Sequence, residues 1–258
     1  LVAAADRPLA LLRLPEGLNG PTFFQKHAGK GFPDAIRTVA IREKDGDTAD
    51  YMAVDSAAGL VGAVQMGTIE FHIWGARRDR LEQPERMVFD LDPDEGMRFS
   101  TVRKAAADLA ADLRELGFES WPMVTGGKGV HIVVPLRRSA GWDTVKLFAR
   151  TFATLQADRA PRRFTATLSK AARKGRIFID WLRNERGATA VAPFSVRARP
   201  GAPVAVPVTW DELAELPRAN AFAPGDALAR SWDDAEVPPS ARGITEAAVR
   251  RLSEFAGN

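Results

Sequence analysis

Asp90 and Asp92 close an apolar run, Arg86-Met87-Val88-Phe89-Asp90-Leu91-Asp92-Pro93-Asp94-Glu95-Gly96, and stand two residues apart. In an extended strand that spacing puts both carboxylates on one side. Two such charges repel unless a cation lies between them, and hard divalent ions such as Mg²⁺ and Mn²⁺ take carboxylate oxygens. The pair reads as half of a metal site. Taken alone it also reads, and more commonly, as a strand running into an Asp-Pro turn with Asp94 placed to begin the next helix. Asp180 ends a second apolar stretch, Arg176-Ile177-Phe178-Ile179-Asp180-Trp181. A third carboxylate of this type would complete a two-metal site, in which the ions align and activate a 3′-hydroxyl and assist departing pyrophosphate.

Thr125-Gly126-Gly127-Lys128-Gly129 leads into the strand Val130-His131-Ile132-Val133-Val134-Pro135. Glycines let backbone N–H groups approach an anion, and Lys128 adds a charge. The spacing is neither that of a Walker A loop nor of a dinucleotide fingerprint, and a plain tight turn is the alternative. His131 is the polar residue of an otherwise apolar strand and needs a partner, which a phosphate oxygen would supply. Arg183 and Arg197 could neutralise a triphosphate, since guanidinium suits bidentate phosphate contact. Two rivals for Asp-x-Asp can be tested directly. An EF-hand needs Gly at its sixth position and Glu at its twelfth, where this chain has Glu95 and Thr101, so it fails. A haloacid-dehalogenase-type phosphatase carries Thr or Val two residues after the second acid; Asp94 stands there and weakens that reading.

The elements that must position these groups follow from periodicity. Ile36–Ile41 and Asp50–Val54 read as strands around a polar turn. Ser56 caps a helix through Gln65, and Thr68–Trp74 alternates as a strand with Glu70, His72 and Trp74 on one side. His72 is either a ligand contact or a hydrogen-bonded structural histidine. Phe99–Leu116 is an amphipathic helix stopped by Gly117. Strands are expected at Phe118–Val124, Val130–Pro135, Arg176–Trp181, Thr189–Ala192 and Val204–Val206, and helices at Trp142–Leu155, Trp210–Leu216 and Ile244–Phe255. Phe23 and Phe24 are neighbours, so in a strand one of them points away from the core. Exposed aromatics beside Lys26 suit stacking on a nucleic-acid end, while two phenylalanines packed between different elements are the alternative. With no repeat and no long linker, residues 1–258 read as one α+β domain with a mainly helical tail from 218 to 258.

Composition sets the class. The 258 residues are 45% hydrophobic and 27% charged, which suits an ordinary globular chain. No cysteine is present, which excludes disulfides and thiolate metal sites, and three histidines leave little for a histidine-rich zinc centre. No apolar run reaches the length of a membrane span and the N-terminus lacks a signal-peptide pattern, so a cytoplasmic protein is expected. The net charge is only +3, yet Arg159 to Arg199 holds eleven Lys/Arg against two acids. Such clustering is the footprint of an anionic partner, nucleic acid or nucleotide; a solvated arginine-rich surface is the plainer explanation.

Together, Val88-Phe89-Asp90-Leu91-Asp92-Pro93-Asp94, Thr125-Gly126-Gly127-Lys128-Gly129-Val130-His131 and Ile177-Phe178-Ile179-Asp180-Trp181 resemble the three motifs of the archaeo-eukaryotic primase superfamily. The likeness is closest to the polymerase domain of bacterial ATP-dependent ligase D. Phe23-Phe24-Gln25-Lys26-His27, Val61–Gly67 and Val196-Arg197-Ala198-Arg199-Pro200 extend it, so that it spans about Pro21 to Leu213. It implies a primase-polymerase fold, with an RRM-like, mainly antiparallel catalytic sheet flanked by helices and a second sheet element. It implies a template-dependent nucleotidyltransferase that fills or extends DNA ends in non-homologous end joining, prefers ribonucleotides and uses two Mn²⁺ or Mg²⁺ ions. DNA ends (a primer-template or a gapped duplex with a 5′-phosphate), ribo- and deoxyribonucleoside triphosphates, a Ku-type protein and a ligase domain are the implied partners, with no membrane; bound to DNA, the protein would sit at the bacterial nucleoid. By similarity Asp90, Asp92 and Asp180 hold the metals, and Thr125, Gly126, Gly127, Lys128, His131 and Arg197 grip the triphosphate with Arg183 nearby. His72 lies near the ribose, Lys170 and Arg173 lie around nucleotide and template, and Phe23, Phe24 and Lys26 meet the DNA end. The family often has Ser where Thr125 stands, and its 5′-phosphate residues lie upstream of Leu1, so an N-terminal segment is expected to be missing.

Overall fold

Alternation along one strand separates core from site. Met87, Phe89 and Leu91 are buried among helices, while Val88, Asp90 and Asp92 face the other way, as a period of two requires. The computed structural model describes residues 1–17, 20–239 and 242–255. In chain order β1 (Leu9–Arg13), β2 (Phe23–Gln25), β3 (Arg37–Arg42) and β4 (Thr48–Ala53) precede α1 (Ala57–Gln65) and β5 (Thr68–Trp74). Next come β6 (Arg86–Pro93), α2 (Phe99–Glu115), β7 (Trp121–Val124), β8 (Val130–Pro135) and α3 (Trp142–Arg159). Short strands β9 (Phe164–Thr165), β10 (Ile177–Asp180), β11 (Thr189–Val191) and β12 (Val206–Pro207) follow, then α4 (Trp210–Glu215), α5 (Pro224–Leu228) and α6 (Glu246–Phe255).

The main sheet has the order β12-β7-β8-β6-β10-β9. All its pairs are antiparallel except β9 with β10. Leu109, Leu113, Phe148 and Phe152 from α2 and α3 cover one face together with Ile132, Val134, Ile177 and Ile179. α2 ends because Gly117 takes φ +87°. Its N–H then reaches the Arg114 carbonyl (2.8 Å) and that of Phe118 the Leu113 carbonyl (2.8 Å), the paired closure of a Schellman stop. A second sheet, β11-β5-β1-β2, and the hairpin β3-β4 complete the frame. Buried Arg7 ties the two sheets together: it pairs with Glu85 and donates to the Trp74 carbonyl at 3.2 Å.

The expected elements are present with shifted ends, and three differences have physical reasons. Leu9–Arg13, where the sequence pattern predicts no strand, is a central strand because β5 and β2 pair on either side of it. Asp94 does not begin α2, whose N-cap position is Arg98; its carboxylate instead accepts the Gly175 N–H at 2.7 Å, holding the turn before β10. The strand expected at Val204–Val206 is shifted to Val206–Pro207, with Val204 in an isolated bridge to Val196 and its N–H taken by the Phe222 carbonyl. From 218 onward α5, a 3₁₀ turn at Asp233–Ala235 and α6 follow, with Ile244 and Leu252 buried in the main core.

Candidate active site

Strand register assembles the acids. Asp180 lies opposite Asp90, and Asp90 lies opposite His131 on its other side. Directly opposed residues of antiparallel strands share a face, so Asp180, Asp90 and His131 form one row across β10, β6 and β8. Asp92, two residues along, faces Phe178. The row opens onto a cavity of about 340 Å³. Of the expected residues, His72, Asp90, Asp92, Thr125, Gly127, Lys128, His131, Arg173, Asp180, Arg183 and Arg197 line it.

The carboxylates are met by the chain's own cations. One Arg183 nitrogen lies 3.3 Å from Asp90 Oδ2 and 3.1 Å from Asp180 Oδ2. Lys128 (3.1 Å) and Arg173 (3.0 Å) hold the two oxygens of Asp92, and His131 Nε2 stands 3.5 Å from Asp90. Arg183, expected beside a triphosphate, thus bridges two acids, because the 3₁₀ turn Leu182–Asn184 folds it back over Asp180. Among the described residues no three His, Asp or Glu side chains close around a point that could hold a metal ion. Burial alone would raise Asp90, but His131, Arg183 and Arg197 outweigh it and hold the acid at about 2. Asp180 is pushed above the usual range, chiefly by burial and also by Asp90, against the pull of Arg183.

The loop after β7 is held from within. Thr125 Oγ1 donates to the Gly129 carbonyl (3.0 Å) and accepts from the Gly127 N–H (3.3 Å), and the Gly126 N–H is used by the Ala219 carbonyl. The N–H groups of both glycines are therefore engaged, leaving Lys128 as the loop's means of meeting an anion. Gly129 has a steric reason: a Cβ there would run into the Leu91 carbonyl. His131 Nδ1 is buried without a hydrogen-bond partner.

Two residues that hold the site escaped the sequence reading. Glu70 is 4% exposed. It bonds His72 Nε2 at 2.8 Å, accepts the Ala198 N–H at 2.8 Å, and forms an ion pair with Arg197 Nε at 3.1 Å. Arg197 in turn donates to the Thr125 carbonyl at 2.6 Å. Burial would raise Glu70, yet these partners hold it at about 2, while burial pulls His72 down against Glu70's attraction. Asn184, 2% exposed, pairs its amide with both backbone groups of Val88 (2.7 and 2.8 Å), extending β6 with a side chain two residues before Asp90. The alternation of Glu70 with His72 was the available signal for the first; nothing local marks the second.

Phe23 and Phe24, on the edge strand β2, are both exposed, 42% and 57%. The Arg13 guanidinium lies 5.6 Å from the Phe23 ring, and Phe24 meets His72 edge-on at 5.1 Å. Lys26 is exposed over Tyr51, outside the cavity. Lys170 opens the 3₁₀ turn Lys170–Arg173, and its side chain lies outside the described residues. Arg199, not singled out beforehand, lines the cavity beside Gly127. Among the described residues no helix is long and apolar enough to cross a membrane.

Comparison with known proteins agrees with this fold. The model of the LigD primase-polymerase domain matches residues 1–236. The multifunctional non-homologous end joining protein LigD of Pseudomonas aeruginosa is 44% identical over 216 residues, 83% of this chain and 26% of that one. LigD of Mycolicibacterium smegmatis is 33% identical over 213 residues, 82% and 28% of the two chains. The chain thus spans about a quarter of the length of these relatives. Among solved structures, the polymerase domain of Mycobacterium tuberculosis ligase D in complex with DNA matches with a TM-score of 0.81 at 28% identity, covering 90% of this chain and 83% of that one.

Proposed function

Since the chain belongs to the LigD primase-polymerase domain family, with that family's fold and its nucleotidyltransferase class, we propose that it adds nucleotides to DNA ends under template direction, with a preference for ribonucleotides, during non-homologous end joining. The observation that carries this is the Asp180–Asp90–His131 row with Asp92 beside it, facing a cavity whose other walls are cationic. Three carboxylates on one sheet face, two from β6 and one from β10, are a donor set whose chemistry fits hard divalent ions, so Asp90, Asp92 and Asp180 would hold two Mn²⁺ or Mg²⁺. Bound there, the ions supply charge for the triphosphate and acidify a primer 3′-hydroxyl.

The chain's own groups supply the rest. Lys128, Arg197 and Arg199 bind triphosphate oxygens, with Arg197 held in place through Glu70 and the Thr125 carbonyl. His131, which lines the cavity, meets a phosphate oxygen. Asp180, with its raised proton affinity, is suited to accept the hydroxyl proton. His72 stands against the ribose and is joined to Phe24 by ring contact, so the sugar and the stacked DNA end are sensed side by side. Phe23, Phe24 and Lys26 take the end. A ligase domain, a Ku-type protein and the 5′-phosphate of a gap are the partners this activity calls for.

A second reading, a DNA-end-binding module without catalysis, draws on the cations lodged among the acids, which could keep the ions out. Primer extension on a gapped duplex bearing a 5′-phosphate, with Mn²⁺ and either ribo- or deoxyribonucleoside triphosphates, separates the two. Template-directed addition favouring ribonucleotides, abolished in Asp90→Ala, is expected. DNA binding without any addition would leave the binding module standing.

A further inference from the structure

Much of the basic stretch between Arg159 and Arg199 does not face the catalytic cavity. Around the β9 edge of the main sheet lies a second, open cavity of about 550 Å³, and Leu168 forms a wall common to both. The rim they share is pinned from two sides. Trp181 Nε1–H donates to the Ala166 carbonyl at 3.2 Å on the side of the second cavity. On the catalytic side Arg173 donates to the Leu168 carbonyl at 3.2 Å while its other terminal nitrogen holds Asp92.

Two arginines line this second cavity. Arg150 is exposed, with its guanidinium 5.6 Å from the Trp181 ring. Arg176 reaches the Pro161 carbonyl at 3.4 Å. Among the described residues neither has a carboxylate within ion-pair distance, whereas neighbouring Arg163 pairs with Asp108 at 2.7 Å. Thr154 and Thr167 add hydroxyls, and Asp158 is the acid in the lining. Guanidinium groups without acid partners, one of them laid against a tryptophan, with an exposed leucine alongside, make the mixed cationic and apolar surface that suits unpaired bases and their phosphates. A cavity of this volume is on the scale of small-ligand sites.

We propose that this cavity binds the unpaired strand of a DNA end, taking the single-stranded segment that leaves the catalytic cavity across Leu168. The proposal rests on the polymerase reading for where that strand comes from, and adds a subsite that measures overhang. It gives the enzyme a preference for ends with several unpaired nucleotides over blunt ones. Nothing in it requires movement of the catalytic row.

Fluorescence anisotropy of the intact chain with labelled duplexes carrying overhangs of graded length, and with the blunt duplex, tests it. Affinity is expected to rise with overhang length. Arg150→Ala combined with Arg176→Ala should cost about tenfold on the long overhang and leave the blunt duplex and nucleotide affinity unchanged. At about 0.7 per phosphate contact in single strands, the slope of log affinity against log salt should flatten by about 1.4 for the two arginines. Asp158→Asn should strengthen overhang binding. An unchanged overhang increment in the double variant, or an equal loss on the blunt duplex, overturns the proposal. Retained nucleotide affinity shows that the variant is folded. Overhang binding that behaves as stated without any nucleotide addition would sink the polymerase reading and leave the subsite standing.

Discussion

Removing the Glu70 carboxylate should destabilise the protein by about 3 kcal/mol and loosen its grip on the nucleotide. Two routes give that size. First, the carboxyl is held at about 2 instead of the ordinary 4.5; at about 1.4 kcal/mol per unit, the difference of about 2.5 units corresponds to roughly 3 kcal/mol at neutral pH. Second, truncating one member of a buried ion pair costs about 3–5 kcal/mol, because the partner is left uncompensated; here the partners are Arg197, His72 and the Ala198 N–H. The sign with pH follows. A depressed acid stabilises the fold above its unfolded value of 4.5, and that stability is lost as pH falls toward 2. Urea unfolding of wild type and Glu70→Ala at pH 7 and near pH 2.5 measures both, with nucleotide affinity taken by calorimetry. The gap should be about 3 kcal/mol at pH 7 and fall to about 1 kcal/mol at the lower pH, with Glu70→Gln intermediate at pH 7. A gap below about 1 kcal/mol at pH 7, or one undiminished in acid, would refute the reasoning.

Asn184→Leu strands the N–H and carbonyl of Val88 in the core, each costing about 1–3 kcal/mol; urea unfolding should show a loss of about 3 kcal/mol, and a loss under 1 would mean that water replaces the amide. Asp180→Ala should abolish nucleotide addition while DNA affinity stays within about twofold, since the basic surface is untouched; equal loss of both, by extension assay and anisotropy, would deny that division. Arg183→Ala leaves Asp90 and Asp180 repelling each other without their shared cation, so Mn²⁺ affinity followed by electron paramagnetic resonance should rise several-fold; a fall would make Arg183 a support of the site instead of a competitor for it.

What could be read from the chain alone was whatever a short window encodes. The apolar run closing on Asp90 and Asp92 placed both on one strand face, the full extent of Thr68–Trp74 follows from its alternation, and that of Val130–Pro135 from a continuous apolar run. Local signals also gave the Ser56 cap, whose Oγ accepts the Gly59 N–H, and the Gly117 stop. Register was not legible. That Asp180 meets Asp90 depends on how β10 slides along β6, a choice made by contacts 90 residues apart in sequence. Glu70 and Asn184 stayed hidden for the same reason: each serves a partner far along the chain, and a buried acid looks like any solvated one until its neighbours are present. The exposure of both Phe23 and Phe24 depends on what packs over the two faces of their strand, which no local window of sequence reveals.

The cations lodged among Asp90, Asp92 and Asp180 separate two events in the life of the molecule. Because Arg183, Lys128 and Arg173 already balance the acids, the sheet can close on the ribosome's product without waiting for an inorganic supplement. Chelation should silence such a protein without melting it, and a stock kept in a metal-poor cell would be intact and ready to be charged. Were the proposed ions bound there, their number at any instant would report the surroundings at that moment, with no record of the conditions under which the chain was made.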